Sequence, residues 1–176
     1  MDNNAAGLLI RQERPGEFPQ IYDLVKIAFQ TAKVSNGKEQ DFVNELRSGD
    51  TYIPELALVA EDNGRLVGHI MLSKAHIVNG ADRFPVTYVA PLSVVLEFRN
   101  RGIGAALMKE SFKLAVGMGY TSVLLVGDPA YYHRFGFKSA VSFGIKHMHE
   151  ISDENVMACE LVPGALKNVT GTTDCF

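Results

Sequence analysis

Hydrophobic residues near the N-terminus recur first with the spacing of a strand and then with that of a helix. Residues 8–14 predict a strand that stops at Pro15-Gly16. Apolar residues then recur at i, i+3, i+4 and i+7, a pattern that predicts an amphipathic helix over residues 18–29. A second, shorter amphipathic helix is predicted over residues 38–47.

A meander of strands is predicted after these helices. Runs of apolar and β-branched residues over 56–61 and 66–73 flank Asn63-Gly64. Asn-Gly between two such runs indicates a hairpin, because both residues tolerate a positive φ. Asn79-Gly80 marks another turn, and residues 86–95 predict a further long strand.

The second half of the chain mixes helical and strand patterns. A helix is predicted over residues 103–118, with Ile103, Leu107, Leu114 and Met118 on one apolar face. The later predicted elements are a strand over 122–126, a short helix over 130–135, and strands over 141–146 and 156–161. This order is neither a regular βαβ alternation nor all-β, so it predicts a mixed α/β (α+β) fold with helices on both faces of a sheet.

Composition is typical of a globular domain. Of the 176 residues, 47% are apolar and 21% charged, and no repeat or linker divides them, so one domain is expected over residues 1–176. The net charge of −3 argues against a nucleic-acid binder. No apolar run approaches the ~20 residues of a membrane helix. Met1-Asp2-Asn3-Asn4 does not begin a signal peptide, so we expect a cytoplasmic protein without a membrane partner.

Neither the cysteines nor the histidines predict a metal site. Cys159 and Cys175 lack paired ligand spacing and are expected to be reduced thiols, with Cys159 a small buried side chain on a late strand. His147-x-His149 has no further ligands at recognised spacing, so a solvated strand edge is expected there.

The glycine-containing turn within residues 92–105 is the most informative segment. A strand leads through a turn into a helix, whose first backbone N–H groups have no partner within the helix. Gly102 and Gly104 would let these groups approach an anion closely, and Arg99 and Arg101 would add positive charge. A third glycine of the dinucleotide fingerprint and the Gly-Lys-Ser/Thr of a Walker A motif are both missing. On spacing alone, a phosphate site and a tight turn without a ligand both remain open.

Two motifs resemble the GCN5-related N-acetyltransferase (GNAT) family. Arg99-x-x-Gly102-x-Gly104 is similar to the family's acetyl-CoA pyrophosphate motif. The string from Gly127 to Phe137 (GDPAYYHRFGF) and the tail from Glu160 to Leu166 resemble the YhbS-like predicted acetyltransferase subgroup. The resemblance covers most of the chain. It implies a mostly antiparallel central sheet in which two parallel strands splay apart.

This resemblance implies an N-acetyltransferase that moves the acetyl group of acetyl-CoA to a primary amine, of a small molecule or a peptide, by direct attack in a ternary complex. The implied pantetheine-binding residues are Leu92, Ser93 and Val94, with a backbone N–H near Val94 polarising the thioester carbonyl. The implied cofactor-binding residues of the turn are Arg99, Asn100, Arg101, Gly102, Ile103, Gly104 and Ala105. The amides from Asn100 to Ala105 would hold the diphosphate, and Arg99 and Arg101 would add positive charge there or meet the adenosine 3′-phosphate. Tyr132 would donate a proton to the departing thiolate, and Tyr131 is the neighbouring alternative. No metal is implied. A non-catalytic acyl-CoA-binding or sensing module is the alternative function, and a homodimer stays open.

The base that would activate the amine is not identified by the sequence. A lysine-like amine is neutral about one time in 10³ near pH 7.4, a penalty of roughly 4 kcal/mol, whereas an α-amino group loses less than about 1 kcal/mol. Glu97 is interpreted as a surface carboxylate. Glu55, His69 and His76 are expected near the acceptor, and no motif selects one of them.

Overall fold

The structure is a computed structural model that describes residues 7–148 and 150–175. Its helices are α1 (Phe18–Phe29), α2 (Glu39–Ser48), α3 (Ile103–Gly117) and α4 (Pro129–Tyr132). Its strands are β1 (Leu8–Gln12), β2 (Ala57–Asp62), β3 (Arg65–Asn79), β4 (Asp82–Val94), β5 (Ser122–Val126), β6 (Lys138–Ser139), β7 (Ile145–Lys146), β8 (Val156–Glu160) and β9 (Gly171–Thr173). The chain forms two compact units, of which the first takes residues up to 72 and 90–114 and the second residues 73–89 and those from 115 onward. Strands β3 and β4 each contribute to both units.

In the first unit, helices α1 and α2 pack on one face of the antiparallel strands β1, β2 and β3. The pairing of β1 with β2 runs from Leu8↔Asp62 to Gln12↔Leu58. That of β2 with β3 runs from Ala57↔Met71 to Asp62↔Arg65, and its register shifts by one residue between Ala60 and Glu61. The apolar stripe that predicts α1 is buried against these strands because a helix of this pattern can bury only one face. The shared core consists of Ile21, Leu24, Val25, Val43, Ala57, Val59, Leu66 and Met71.

Helix α3 lies close to the other face of β3, at Gly68. An ideal Cβ on Gly68 would lie 2.9 Å from Leu107 Cδ1, 3.2 Å from Ile103 Cγ2 and 3.2 Å from the Ser93 carbonyl oxygen. Only a residue without a side chain therefore allows the first turns of α3 to approach the strand this closely. Since α1 and α2 cover the opposite face, the expectation of helices on both faces holds in this unit.

The predicted Asn-Gly hairpin is confirmed. Asn63 and Gly64 both have positive φ, 49° and 83°, and join β2 to β3 between Asp62 and Arg65. Positive φ at both central residues gives a turn whose twist matches that of the flanking strands. The turn thus fixes which faces of β2 and β3 point toward α1 and α2.

In the second unit, three of the strand pairs are antiparallel and two, β4 with β5 and β7 with β9, are parallel. Strand β5 pairs in parallel with β4 at Thr87↔Val123 and Tyr88↔Leu124. On its other side β5 pairs antiparallel with β8 along its whole length, and β8 pairs with β6. Strand β9 pairs with β3 and with β7. The fold class predicted from sequence, a mixed and mostly antiparallel sheet with helices, is confirmed.

Three local predictions differ from the structure. Residues 141–146 were expected to form a strand, but Ala140–Phe143 is a 3-10 helix and only Ile145–Lys146 is extended. Ser142 Oγ donates to the Ser139 carbonyl at 2.6 Å and stabilises that turn locally. Strand β4 begins at Asp82, before the predicted start at residue 86. Met118 lies beyond the end of α3 and is exposed, whereas Ile103 and Leu107 are buried as expected.

Substitution of Gly68 by Val tests the close packing of α3. We expect Gly68→Val to lower the free energy of unfolding by about 1–3 kcal/mol, because its side chain meets backbone as well as side-chain atoms. The matched control is Gly117→Val at the end of α3, where no heavy atom lies within 4 Å of an ideal Cβ. Urea unfolding of both variants measures the difference, and equal midpoints would contradict the packing argument.

Candidate active site

The turn between β4 and α3 is built from two residues in the left-handed region. A 3-10 turn over Leu96–Phe98 follows β4. Asn100 then has φ 61° and Gly102 φ 78°, after which α3 begins at Ile103. Asn and Gly are the residue types that adopt this conformation at the lowest cost. Asn100 and Gly102 therefore allow the chain to turn sharply, and α3 begins directly after Gly102.

The start of α3 presents backbone donors. The first helical hydrogen bond of the turn runs from Ala106 N to Gly102 O, at 2.9 Å. The amides of Ile103, Gly104 and Ala105 precede that bond and so have no acceptor within the helix. Gly102 is exposed, and an ideal Cβ there would meet no heavy atom within 4 Å. These three N–H donors and the positive end of the helix dipole are thus suited to binding an anion.

Arg99 contacts the protein rather than projecting away from it. Its guanidinium donates to the Ala28 carbonyl at 2.7 Å, to Thr31 Oγ1 at 2.8 Å and to the Val94 carbonyl at 3.3 Å. These bonds hold the turn against the C-terminal end of α1. Arg99 is part of the turn, as the motif indicates, and the hydrogen bonds of its guanidinium stabilise the position of the turn.

The second arginine of the turn is stacked on an aromatic ring. The Arg101 guanidinium carbon lies 4.8 Å from the centre of the Phe98 ring, and that of Arg65 lies 5.4 Å from the same ring. Arg65 also pairs with Glu97 at 3.1 Å. Glu97 is an exposed carboxylate, as its interpretation from sequence expected.

Leu92, Ser93 and Val94 form the last residues of β4. Leu92 and Val94 are half-buried, and Ser93 is buried. The next residue, Val95, donates its N–H to the Val67 carbonyl at 3.0 Å, so this end of β4 continues the pairing with β3. The three residues expected to bind pantetheine therefore belong to one extended segment that leads directly into the glycine turn.

Tyr132 is the last residue of α4, in the second unit, and its ring lies against Gly127. Asp128 Oδ1 accepts the Ala130 N–H at 2.9 Å and caps α4, in which Pro129 is the first residue. An ideal Cβ on Gly127 would lie 2.8 Å from Tyr132 Cδ2 and closer still to Cε2. Glycine at position 127 is therefore required for the Tyr132 ring to lie where it does.

Aromatic neighbours surround the Tyr132 ring. Its centre lies 4.9 Å from that of Tyr131 and 5.8 Å from that of Phe137, in both cases edge to face. Burial, followed by the nearby Tyr131 and Asp128, raises the pKa of Tyr132 above its usual value near 10. Tyr132 is thus a protonated hydrogen-bond donor throughout the neutral range. Tyr131 stacks under the Arg134 guanidinium at 4.5 Å.

A buried ion-pair cluster in the first unit was not predicted from sequence. Arg47 donates to both oxygens of Glu13, at 2.8 and 2.7 Å, and Tyr52 OH donates to Glu13 Oε1 at 2.9 Å. His69 Nε2 lies 2.8 Å from Glu13 Oε2. Burial alone would raise the pKa of Glu13, but the hydrogen bonds from Arg47 and His69 outweigh it and lower that pKa to about 2. These four residues are separated by up to 56 positions and share no local sequence signal. The sequence showed only a glutamate within the first predicted strand and an arginine on a predicted amphipathic helix.

The remaining candidates from the sequence are His76, Glu55 and Cys159, and the contacts described for them do not involve this cluster. His76 donates its backbone N–H to Asp174 Oδ1 and pairs with Asp174 at 3.4 Å through its ring. Glu55 is exposed. Cys159 is buried on β8 as expected, and burial raises the pKa of its thiol to about 11, which makes it a poor nucleophile at neutral pH.

His147 corrects one expectation. Its side chain is only 5% exposed, and its Nε2 lies 2.9 Å from Asp153 Oδ1, so it is not part of a solvated edge. His149 lies outside the described residues. Among residues 7–148 and 150–175, no group of three or more His, Cys, Asp or Glu side chains is arranged to hold a metal ion. No helix within the same ranges is long and apolar enough to cross a membrane.

The fold of this chain is that of a known family of acetyltransferases. The profile of the acetyltransferase (GNAT) domain matches residues 9–140, and the chain belongs to this family. The resemblance noted in the sequence is thereby confirmed.

Similar proteins extend over nearly the whole chain. It is 29% identical over 167 residues to the "Uncharacterized N-acetyltransferase YhbS" of Escherichia coli (strain K12), covering 95% of each protein. The crystal structure of the GNAT family N-acetyltransferase YhbS from Escherichia coli in complex with CoA matches with a TM-score of 0.83 and 27% identity, covering 98% of this chain and 92% of that one. A GNAT family acetyltransferase from Brucella melitensis in complex with acetyl-CoA matches with a TM-score of 0.67 and 35% identity, covering 74% and 82%.

The Glu13 cluster predicts a loss of stability in acid. The folded-state pKa of Glu13 is lowered from 4.5 to about 2, so the folded state binds fewer protons, and its contribution is lost as pH falls from about 4.5 toward 2. Burial lowers the pKa of His69 below 6.5, so stability begins to fall already below that pH.

We expect Glu13→Gln to be about 3–5 kcal/mol less stable than the wild type at pH 7, because Arg47 is left without its buried partner. This difference should narrow by roughly 2 kcal/mol at pH 3. Urea unfolding at several pH values measures it, with the exposed Glu55→Gln as control. A difference between Glu13→Gln and wild type that does not change with pH would refute the assignment.

Proposed function

We propose that this protein is an N-acetyltransferase that transfers the acetyl group of acetyl-CoA to a primary amine of a small molecule or peptide. The single observation that carries the proposal is the set of backbone donors at the start of α3, at the position of the family's pyrophosphate motif. The relatives solved with CoA and with acetyl-CoA support the choice of the acyl donor. A cytoplasmic location and a homodimer stay predictions from the sequence.

Binding of the donor's diphosphate is assigned to residues Arg99–Ala105. The amides of Ile103, Gly104 and Ala105 are free of helical bonds, and each charge-assisted hydrogen bond contributes about 1.5–3 kcal/mol. Arg99 acts mainly by holding the turn, since Ala28, Thr31 and Val94 accept from its guanidinium. The amides from Asn100 to Gly102 and the charge of Arg101 complete the proposed anion site.

The pantetheine arm is assigned to the end of β4, along Leu92, Ser93 and Val94. An extended backbone segment can pair with the amide groups of pantetheine as it would with another strand. A backbone N–H near Val94 would then donate to the thioester carbonyl oxygen. This bond strengthens as negative charge develops on that oxygen during attack by the amine, which is the condition for lowering the barrier.

Tyr132 is assigned as the proton donor to the departing thiolate. Its raised pKa keeps the phenol protonated, as a donor must be. The raised pKa also makes complete proton transfer from Tyr132 to a thiolate unfavourable. Even without any shift, the pKa of a thiol is about 1.5 lower than that of a phenol, so the phenol holds its proton more tightly. We therefore expect Tyr132 to act chiefly through a hydrogen bond to the sulfur, with an effect at the lower end of the 10²–10⁴ range for general acids.

Release of CoA in the presence of an amine tests the proposed reaction. Three amines sample the acceptor classes: glycylglycine for an α-amine, Nα-acetyl-lysine for a side-chain amine and spermidine for a polyamine. We expect CoA release with at least one of them, with a product mass increase of one acetyl group. Binding of acetyl-CoA without any acetylated product across a wider amine panel would instead favour the sensing module.

Negative charge at the start of α3 should prevent binding of acetyl-CoA. We expect Gly104→Glu to weaken the affinity at least 100-fold, because it blocks a buried position and repels phosphate. Ala105 is exposed, so Ala105→Glu adds the same charge without disturbing packing and also stabilises the helix start. Isothermal titration calorimetry with acetyl-CoA measures both, with Val116→Glu at the far end of α3 as control. Unchanged affinity in Ala105→Glu would place the anion elsewhere.

Removal of the Tyr132 hydroxyl should slow turnover selectively. We expect Tyr132→Phe to lower kcat by about 10–100-fold with little change in the affinity for acetyl-CoA, because the ring packing is retained. Tyr131→Phe is the matched control and should retain most of the activity. Steady-state kinetics and calorimetry separate the two quantities. If only Tyr131→Phe lost activity, the proton donor would be Tyr131.

A further inference from the structure

Two arginine side chains beside the turn that precedes α3 share one aromatic ring. The guanidinium carbon of Arg101 lies 4.8 Å from the centre of the Phe98 ring, and that of Arg65 lies 5.4 Å from it. Both arginines are exposed, and Phe98 is half-buried. Two like charges held this close repel each other, and an anion that contacts both offsets this repulsion. The pair is therefore suited to binding a negatively charged group.

The pairing of β3 with the end of β4 brings Arg65 to this turn. Arg65 is the first residue of β3 and follows the hairpin turn between β2 and β3. The Val95 N–H donates to the Val67 carbonyl at 3.0 Å, so the start of β3 lies beside the residue that leads into the 3-10 turn over Leu96–Phe98. Arg65 is therefore adjacent to the turn, although 32 positions separate it from Glu97 in the chain.

The arginines near the turn differ in how far the protein already engages them. The Arg99 guanidinium donates to three acceptors of the protein itself. Within the part of the chain that the structure describes, Arg101 has no hydrogen bond or ion pair, and its guanidinium contacts the Phe98 ring. Arg65 pairs with Glu97 at 3.1 Å, but these side chains are 55% and 64% exposed, and an ion pair so exposed contributes little. Arg101 and Arg65 are thus available to a ligand.

We propose that Arg65 and Arg101, stacked on Phe98, bind the 3′-phosphate of acetyl-CoA, so that this protein selects CoA thioesters over acyl donors that lack this phosphate. This inference rests on the proposed function, in which the amides of residues 103–105 hold the diphosphate. In CoA one ribose carries the diphosphate on its 5′ carbon and a phosphate monoester on its 3′ carbon, so the second phosphate lies close to the first. The motif alone left Arg99 and Arg101 as alternatives for this phosphate, and the hydrogen bonds of Arg99 favour Arg101.

A phosphate monoester fits this pair by charge and by geometry. It carries a charge of about −1.5 to −2 at pH 7 and three acceptor oxygens. A guanidinium group can donate two parallel N–H bonds to such oxygens, which the ammonium of a lysine cannot. The Phe98 ring restricts both side chains before a ligand arrives, so less conformational freedom is lost on binding. Glu97 acts in the opposite direction, because its carboxylate neutralises Arg65 and repels phosphate.

The test compares the affinities of acetyl-CoA and acetyl-dephospho-CoA by isothermal titration calorimetry. We expect the wild type to bind acetyl-CoA about 10–100-fold more tightly, because only this donor carries the 3′-phosphate. Arg65→Gln and Arg101→Gln should each lower this ratio of affinities about three- to tenfold, and Arg101→Gln should also weaken acetyl-dephospho-CoA slightly through the diphosphate. The matched control is Arg14→Gln, an exposed arginine beyond the opposite end of β1, which should keep the wild-type ratio.

Two further measurements separate the effect of charge from a change in shape. Glu97→Gln removes the carboxylate that competes for Arg65, so we expect the affinity for acetyl-CoA to rise about two- to fivefold and that for acetyl-dephospho-CoA to stay the same. Higher salt should reduce the wild-type preference for acetyl-CoA, because exposed charges are screened. An acetyl-CoA affinity that does not rise in Glu97→Gln, or a preference that is independent of salt, would contradict a phosphate bound by Arg65.

The two donors also distinguish failure of this inference from failure of the proposed function. If the wild type binds neither donor, the proposed function fails and the inference with it. If the wild type binds both donors equally, or if either arginine variant keeps the wild-type ratio, only the inference fails. Binding of acetyl-dephospho-CoA by Arg65→Gln shows that this variant is folded. A preference that falls in both arginine variants and persists in Arg14→Gln supports the assignment.

Discussion

The close contact between α3 and β3 at Gly68 is the constraint on which the candidate site depends. Because Gly68 has no side chain, Leu107 and Ile103 can lie against the strand, and the first turn of α3 is fixed in place. The left-handed residues Asn100 and Gly102 then bring the chain from β4 into that helix within a few residues. Backbone donors are useful for anion binding only if they are held in a fixed direction, and packing at Gly68 supplies this rigidity.

The elements with strong local signals could be predicted from the sequence. Helix α1, the Asn63-Gly64 hairpin and strand β5 were all located closely, because periodicity, turn chemistry and apolar runs act within a few residues. The two-residue strands and the 3-10 helix after Ser139 could not be, because they depend on pairing with distant strands and on local side-chain hydrogen bonds. The glycine turn was found from its motif. The hydrogen bonds from Arg99 to Ala28 and Thr31 could not be predicted, because they join residues about 70 positions apart.

The buried cluster around Glu13 illustrates the same difference between local and long-range information. Its members come from the end of β1, from α2, from the loop after α2 and from β3. A single sequence shows each as an ordinary polar residue. Only the packing of α2 over the sheet reveals that the ion pair is desolvated, and a desolvated pair contributes less to stability than its geometry suggests because both charges have left water. Removal of one partner is nevertheless costly, because the other charge is then left buried and uncompensated.

The hydrogen bonds of Arg99 have a thermodynamic consequence for any anion that the turn receives. Since Ala28, Thr31 and Val94 already hold the guanidinium, the turn is ordered when the protein folds and not when a ligand arrives. Association then loses little backbone freedom in the receptor, and more of the interaction energy is expressed as affinity. Exchange of Arg99 for lysine would keep the charge yet surrender this rigidity, so its effect would emerge as an entropic penalty on association rather than as a loss of electrostatic attraction.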